Sequence, residues 1–348
     1  MNEDKLSERL YQEGKLRDFV NFAMGQKPDL KRFLDSNRLL NFSFVESAAS
    51  YFTLCPRGIS GRLRTFVRDA FARPYIPGSS IKGALRVSIM YVILKRMKEN
   101  VRKSMLDRFV QRKIGEYRRD RRGRAGFGWF KERFKKKFAE ELERKIFKDF
   151  VLRGRREGDA HHDILRYLKV SDSSFLDRNS LVVEEVKVLS VGRGRDFRGG
   201  SIFVECVPAG KEFEFEIKMD REILDNFMKE NPHLSYDFDK DKLYDILLHP
   251  LEAAKEKAQD LLEEEKNFFK ENTLIRGVLE FEREKPNFRL GWGQGLLGAS
   301  IDLLLTMEIR QNLRNTLFRD CGNTPAPKTR RLVVDGKNQT FGWCVIES

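Results

Sequence analysis

The chain has 348 residues, 40% of them apolar, more core-forming sequence than one domain of about 100 to 200 residues holds. It carries 67 Lys and Arg against 53 Asp and Glu, a formal net charge of +14, which makes a polyanion, nucleic acid first, the expected partner. No run approaches the roughly 18 apolar residues of a membrane span, and the polar start Asn2-Glu3-Asp4-Lys5 is unlike a signal peptide. Cys55, Cys206, Cys321 and Cys344 lie too far apart for a C-x-x-C pair, so a cytoplasmic protein without metal, cofactor or membrane contact is expected.

In chain order, Leu6, Leu10, Leu16, Phe19, Val20, Phe22, Leu30, Phe33 and Leu34 recur at helical spacing, which predicts two short helices split by Pro28. Arg38 to Val45 reads as a strand, and Tyr51 to Leu54 as a second one ending before Pro56 and Gly58. Pro77-Gly78-Ser79-Ser80 is a turn whose hydroxyls suit a helix N-cap, followed by a helix from Ile81 to Met97. The next segment is basic. Lys95 to Glu157 holds 24 Lys or Arg against 10 Asp or Glu, a surplus equal to the whole net charge, and its apolar spacing predicts amphipathic helices.

After His161 and His162 the pattern turns to short alternating runs at Leu181–Leu189, Ser201–Val207 and Glu212–Ile217. A helical stretch from Lys240 to Asn272, a strand at Phe288–Leu290, a glycine-rich loop and late strands complete the chain. These elements predict an α+β fold of two units. Residues 1–180 form the first, with a basic helical insert at about 95–160, and residues 181–348 form the second, with a helical insert and the glycine-rich loop.

Four groups of residues carry candidate chemistry. In the first, from Gly78, Ser79 and Ser80 through Lys82, Gly83 and Arg86, a turn enters a helix whose amides and dipole can receive a phosphate. Lys82 and Arg86 are four apart on one face; the plainer reading is an ordinary capped helix with two solvated cations. In the second, Arg289 precedes Gly291, Gly293, Gln294, Gly295 and Gly298, and glycines let backbone amides approach phosphates or bases. G-x-G-x-x-G within it also matches a dinucleotide fingerprint, but no alternating strands and helices surround it, and a structural turn is the other alternative.

The third is the insert, with Arg118, Arg119, Arg121, Arg122, Arg124, Lys135, Lys136 and Lys137, either a phosphate-binding cluster or a solvated helix face. Last, His161 and His162 stand beside Asp159 and Asp163, the one grouping that mimics an acid–base site for RNA cleavage. Sequence shows no positioned partner for either histidine.

The run Pro77-Gly78-Ser79-Ser80-Ile81-Lys82-Gly83-Ala84-Leu85-Arg86 resembles the signature of the RAMP superfamily in type III CRISPR effectors. With Leu168-Lys169-Val170-Ser171-Asp172-Ser173, Arg289 to Gly298, Lys328-Thr329-Arg330-Arg331 and Gly342-Trp343, the chain is most similar to the fifth Csm subunit of type III-A complexes. That resemblance implies two ferredoxin-like (RRM-like) units. It also implies a non-catalytic subunit that caps the filament near the guide 3′ end and is needed for guide maturation in antiviral defence. Guide RNA and other Csm-type subunits, above all the backbone RAMP subunit, are the implied partners, with target RNA met indirectly and host ribonucleases as further candidates. Ser80, Lys82, Arg86 and Gly291 to Gly298 would lie near guide RNA, and Lys328, Arg330 and Arg331 join them as expected contacts. A RAMP-type endoribonuclease that processes guide precursor RNA with His161 or His162 is the alternative. Relatives open with an apolar strand and a His- and Gly-containing loop, whereas Met1 here leads straight into polar sequence, so a missing first strand and an unpaired sheet edge are expected.

Overall fold

The computed structural model describes residues 1–56, 58–59, 63–121, 140–148, 163–191, 195–230, 240–270, 285–318, 323–333 and 339–347, arranged as a mixed helix and sheet (α+β) fold. The chain forms two units: Met1–Tyr75, Ser174–Glu184 and Phe203–Phe213 in the first, Ile76–Ser173, Glu185–Ile202 and Glu214–Ser348 in the second.

The first unit opens with four short helices, α1 (Glu3–Gln12), α2 (Leu16–Ala23), α3 (Leu30–Ser36) and α4 (Phe42–Ser47). Asn2, Asp29 and Asn41 cap α1, α3 and α4 by accepting a backbone N–H three residues on, each worth about 1 kcal/mol. Leu6, Leu10, Phe33, Leu34, Leu39, Phe44 and Ala48 form their core. The strand expected over 38–45 is therefore a turn and a helix. Arg38 ends α3 in the left-handed region (φ +57°), and the Asn41 cap restarts helix three residues later, local chemistry that outweighs the apolar alternation.

β1 (Leu63–Arg64) pairs in parallel with the end of β4 (Arg195–Cys206), and Leu54 contributes a single bridge to Val182 rather than a full strand. Beneath lies a buried ion pair. Arg68 reaches Glu205 at 3.3 Å, and Glu205 also accepts from Thr53 Oγ1 (2.7 Å) and the Phe66 amide (2.8 Å).

The second unit is organised on two long helices, α5 (Gly78–Lys95) and a 21-residue helix, Pro250–Lys270, which pack along each other. Between them in sequence come α6 (Glu99–Arg121), α7 (Glu140–Phe147), α8 (Arg221–Glu230) and α9 (Lys240–Leu248), which makes Pro250–Lys270 α10. The helical stretch expected over 240–272 is divided at His249-Pro250, since proline has no N–H to continue α9 but suits the first position of α10. The core gathers Ile81, Leu85, Ile89, Val92, Tyr167, Phe227, Leu247 and Ala254.

β2 (Leu168–Val170) pairs antiparallel with β5 (Ile217–Met219), β3 (Val182–Val191) with β7 (Thr329–Val333), and β6 (Phe288–Arg289) with β8 (Trp343–Cys344). Of the alternating run at 212–217 only Ile217 enters a strand. Two helices finish the fold, α11 (Gly295–Ala299) and α12 (Met307–Leu317), separated by a 3-10 turn at Asp302–Leu304.

Candidate nucleic-acid interface

Helix α5 begins at Gly78, after Pro77, and Pro77 supplies no side-chain cap. Ser79 and Ser80 therefore lie inside the first turn with exposed side chains, not at the cap position read from the sequence. The helix N-terminus is already occupied by an anion of the chain itself, because the Gly78 N–H donates to Asp172 Oδ1 at 2.7 Å. A phosphate would have to displace that carboxylate, so the expected use of the helix end for phosphate is not what the geometry offers.

Lys82 and Arg86 do share a face, but it turns inward on the protein. Lys82 Nζ donates to the Leu168 carbonyl at 2.6 Å, and burial pulls its pKa below the ordinary value despite the opposing Asp163 charge. Arg86 donates to Asp163 at 2.7 Å, lies 3.4 Å from Glu143 and stacks over Phe147 at 4.3 Å. What the motif leaves open is Ser79, Ser80 and Gly83: all three are exposed, and a Cβ on Gly83 would meet nothing within 4 Å.

The glycine-rich segment divides in the same way. Gly291, Gly293 and Gly295 have φ of +91°, +94° and +77°, a left-handed path that only glycine takes without strain. Gly293 is pressed under Phe341, whose Cβ would lie 3.0 Å from an added Cβ, and Gly298 sits against the Gln294 side chain; Gly291 and Gly295 face open space. Half-buried Trp292 packs edge-on to Phe341 (6.0 Å), and Arg331 lies over its ring at 4.7 Å.

Arg289 and Arg330, expected as contacts, are instead 6% and 7% exposed. Arg330 Nε donates to Glu265 of α10 at 2.7 Å while its guanidinium covers Phe268 (3.8 Å); Arg289 lies 3.9 Å from the same carboxylate, bonds the Phe341 carbonyl and covers Trp343 (4.6 Å). Burial lowers the Arg289 pKa to about 10, the neighbouring Arg330 adding to the drop and Glu265 opposing it. These two arginines brace the strands on either side of the glycine segment. Lys328 is half-buried, and its carbonyl accepts the Val191 N–H.

Of the basic insert, Arg118 and Arg119 are exposed near the end of α6. The side chain of Arg121, and Arg122, Arg124, Lys135, Lys136, Lys137, His161 and His162 entirely, lie outside the described residues. Among the described residues no group of three or more His, Cys, Asp or Glu is placed to hold a metal, and no helix is long and apolar enough to cross a membrane.

A family model matches residues 51–297, which include α5, β2, β5, α10 and most of the glycine segment, and its description is the RAMP superfamily. The chain belongs to the RAMP superfamily. Within it, the chain is similar to the "CRISPR system Cms protein Csm5" of Mycobacterium tuberculosis, 25% identical over 159 residues, 45% of this chain and 36% of that protein. It is also similar to the Csm5 of Streptococcus thermophilus, 34% identical over 93 residues, 24% of this chain and 26% of that one. The matched stretches thus span about a third or less of those relatives' own length.

Two solved structures share the fold over nearly the whole chain. A chain of the Csm-crRNA-target RNA ternary complex of a type III-A CRISPR-Cas system superposes with a TM-score of 0.65 at 24% identity, covering 100% of this chain and 91% of that one. The T.onnurineus Csm5 crystal structure gives 0.56 at 21% identity, covering 97% and 90%.

Sequence reading overlooked one supporting group of this RAMP chain. Lys257 of α10 is 5% exposed and its ammonium donates to the Gly298 carbonyl, tying α10 to α11 directly after the glycine segment. Burial lowers its pKa from 10.5 to about 8, with Arg289 adding to the fall and Asp302 opposing it. Because the folded chain holds this proton less tightly than the unfolded one, stability rises with pH between about 8 and 10.5. Below that window both forms are charged, and the burial cost stands at its full value, about 3 kcal/mol. Urea unfolding from pH 7 to 10 is expected to show the wild type gaining on Lys257→Met across this window; a constant gap between the two would contradict the assignment.

Proposed function

We propose that this RAMP chain is a non-catalytic, guide-RNA-binding subunit of a type III-A CRISPR ribonucleoprotein in the cytoplasm. It caps the filament beside the backbone RAMP subunit near the guide 3′ end, is needed for guide maturation, and meets target RNA only through the assembly. Host ribonucleases are proposed as its transient partners in that maturation. The likeness in fold to a chain of the Csm-crRNA-target RNA complex is the observation that carries this reading. The antiparallel pairings β2–β5 and β6–β8, with α5 packed on β2 and α10 on β6, support ferredoxin-like units as the finer architecture.

In this reading the contacts fall on the exposed Ser79, Ser80 and Gly83 of α5 and Gly291 and Gly295 of the glycine segment, with half-buried Arg331 beside them, while Lys82, Arg86, Arg289 and Arg330 hold that surface in shape. A grip on the ribose-phosphate strand, without base readout, suits a subunit that must accept any guide sequence.

Fluorescence anisotropy with single-stranded RNA at several salt concentrations tests this. Wild-type log Kd is expected to rise linearly with log salt, by about 0.7 per phosphate neutralised. Gly83→Glu, which sets a carboxylate where α5 faces open space, is expected to weaken binding by about 1 kcal/mol, roughly fivefold, while Gly83→Ala leaves it unchanged. Equal affinity for Gly83→Glu and wild type would remove α5 from the interface. Cleavage of repeat RNA by the purified protein, abolished by His161→Ala, would favour the endoribonuclease instead.

A further inference from the structure

The first unit contains a turn whose construction exceeds what a surface loop needs. Arg68 and Pro74 bridge in antiparallel fashion across it, the Asp69 N–H bonds the Arg73 carbonyl (3.0 Å), and the Ala72 N–H bonds the Asp69 carbonyl (3.0 Å). The Asp69 carboxylate gathers four donors: the amides of Phe71 (3.0 Å) and Arg73 (2.8 Å), and the Arg73 guanidinium through Nε (2.9 Å) and Nη2 (2.7 Å). Ala72 is held at φ +63°, a conformation that costs a non-glycine residue of order 1 kcal/mol and needs such support. From below, Arg68, 7% exposed at its side chain, donates to the Ala72 and Arg178 carbonyls, each at 2.9 Å, and pairs with Glu205.

This framework presents a ring to solvent. Phe71, at the tip, is 65% exposed, and Phe175 is 46% exposed. The Arg73 guanidinium lies over both rings, 4.0 Å from the Phe175 centroid and 5.4 Å from that of Phe71, and Tyr75 backs Phe175 edge-on at 5.6 Å. Two partly exposed rings and an oriented cation form one surface.

An apolar pocket on a protein partner would have to bury the ionised guanidinium along with the rings, at a desolvation cost. A nucleobase has no such conflict. Its π-face stacks on phenyl and guanidinium alike, and the adjoining phosphate meets the cation. We infer that Phe71, Arg73 and Phe175 form a stacking platform for an unpaired base of single-stranded RNA, a contact apart from the two glycine motifs. This inference rests on the RNA-binding reading above and adds base stacking to a grip otherwise made on the backbone.

The test uses the full chain and a single-stranded RNA oligonucleotide carrying 2-aminopurine, read by anisotropy and by base fluorescence. Stacking of about 1–3 kcal/mol per base predicts that Phe71→Ala raises the Kd roughly 5- to 150-fold and abolishes the 2-aminopurine quenching, while Phe71→Trp restores both. The Phe71 ring is mostly in solvent, so its loss leaves the fold intact, and unchanged circular dichroism and melting verify this. Wild-type protein that fails to bind the RNA at all would sink the RNA-binding reading and the platform with it. Wild-type binding that Phe71→Ala matches, with the same quenching, would overturn the platform alone and leave the ring to a protein partner.

Discussion

Glu265→Ala is expected to be among the most damaging single changes in the protein, costing about 3–5 kcal/mol of stability. The carboxylate is 2% exposed and faces two guanidiniums, Arg330 at 2.7 Å and Arg289 at 3.9 Å, that are themselves withdrawn from water. Its removal leaves two like charges buried without a counter-ion, and Arg289, whose pKa burial already lowers to about 10, has no neutral form accessible near pH 7 to relieve them. Glu265→Gln keeps the shape and one acceptor but not the charge, and should fall between alanine and wild type. Equilibrium urea unfolding of the three proteins decides the matter. A cost for alanine below about 1 kcal/mol, the usual worth of an exposed pair, would show that the arginines find water instead. Because those arginines brace β6 and β7, the RNA-binding role proposed above predicts that RNA affinity falls together with stability.

Gly78→Ala is expected to cost about 3 kcal/mol by overpacking, at the upper end for an added methyl, since the new Cβ would lie 2.4 Å from the Ser171 carbonyl oxygen and 2.5 Å from that of Val170. Both obstacles are backbone, so no rotamer change relieves them, and the start of α5 must move off the end of β2, losing the Gly78 amide bond to Asp172. Five residues on, Gly83→Ala should do the opposite. That position is exposed mid-helix with open space around it, and alanine there stabilises by about 0.8–1 kcal/mol through helix propensity. Thermal melts of the two variants should therefore shift in opposite directions. A matched shift would mean that α5 is not seated on β2 as described.

The contrast between these two glycines shows what the sequence could and could not convey. Helix α5 was legible because Ile81, Leu85, Ile89, Val92 and Ile93 mark one buried face, and the α+β class followed from alternating runs such as 182–189. The motif at 77–86 was legible as a unit, but its division of labour was not. Which of Gly78, Lys82, Gly83 and Arg86 faces inward depends on β2 and Asp163, some 80 to 90 positions away. Charge misled in a similar manner: Lys257 and Glu265 look like members of a solvated acidic and basic run. Their spacing from Ala254, Leu261 and Phe268, three or four apart, puts them on the apolar row of α10, and a helical projection would have marked them as buried ions. The helix at 42–47 was missed because a single Asn41 cap overrode the pattern of two.

The interleaving of the chain bears on how the protein is made. The first unit draws on three stretches, and the Glu205 carboxylate that anchors Arg68 and the strand that pairs with β1 both arrive after residue 200. A ribosome must release the chain past Glu205 before the segment from Tyr51 to Tyr75 finds its permanent neighbours. Until then the side chains around Tyr51 and Arg68 wait unprotected, so the nascent protein depends on the α1–α4 cluster, whose buried core residues all fall between Leu6 and Ala48, as the part able to fold at once.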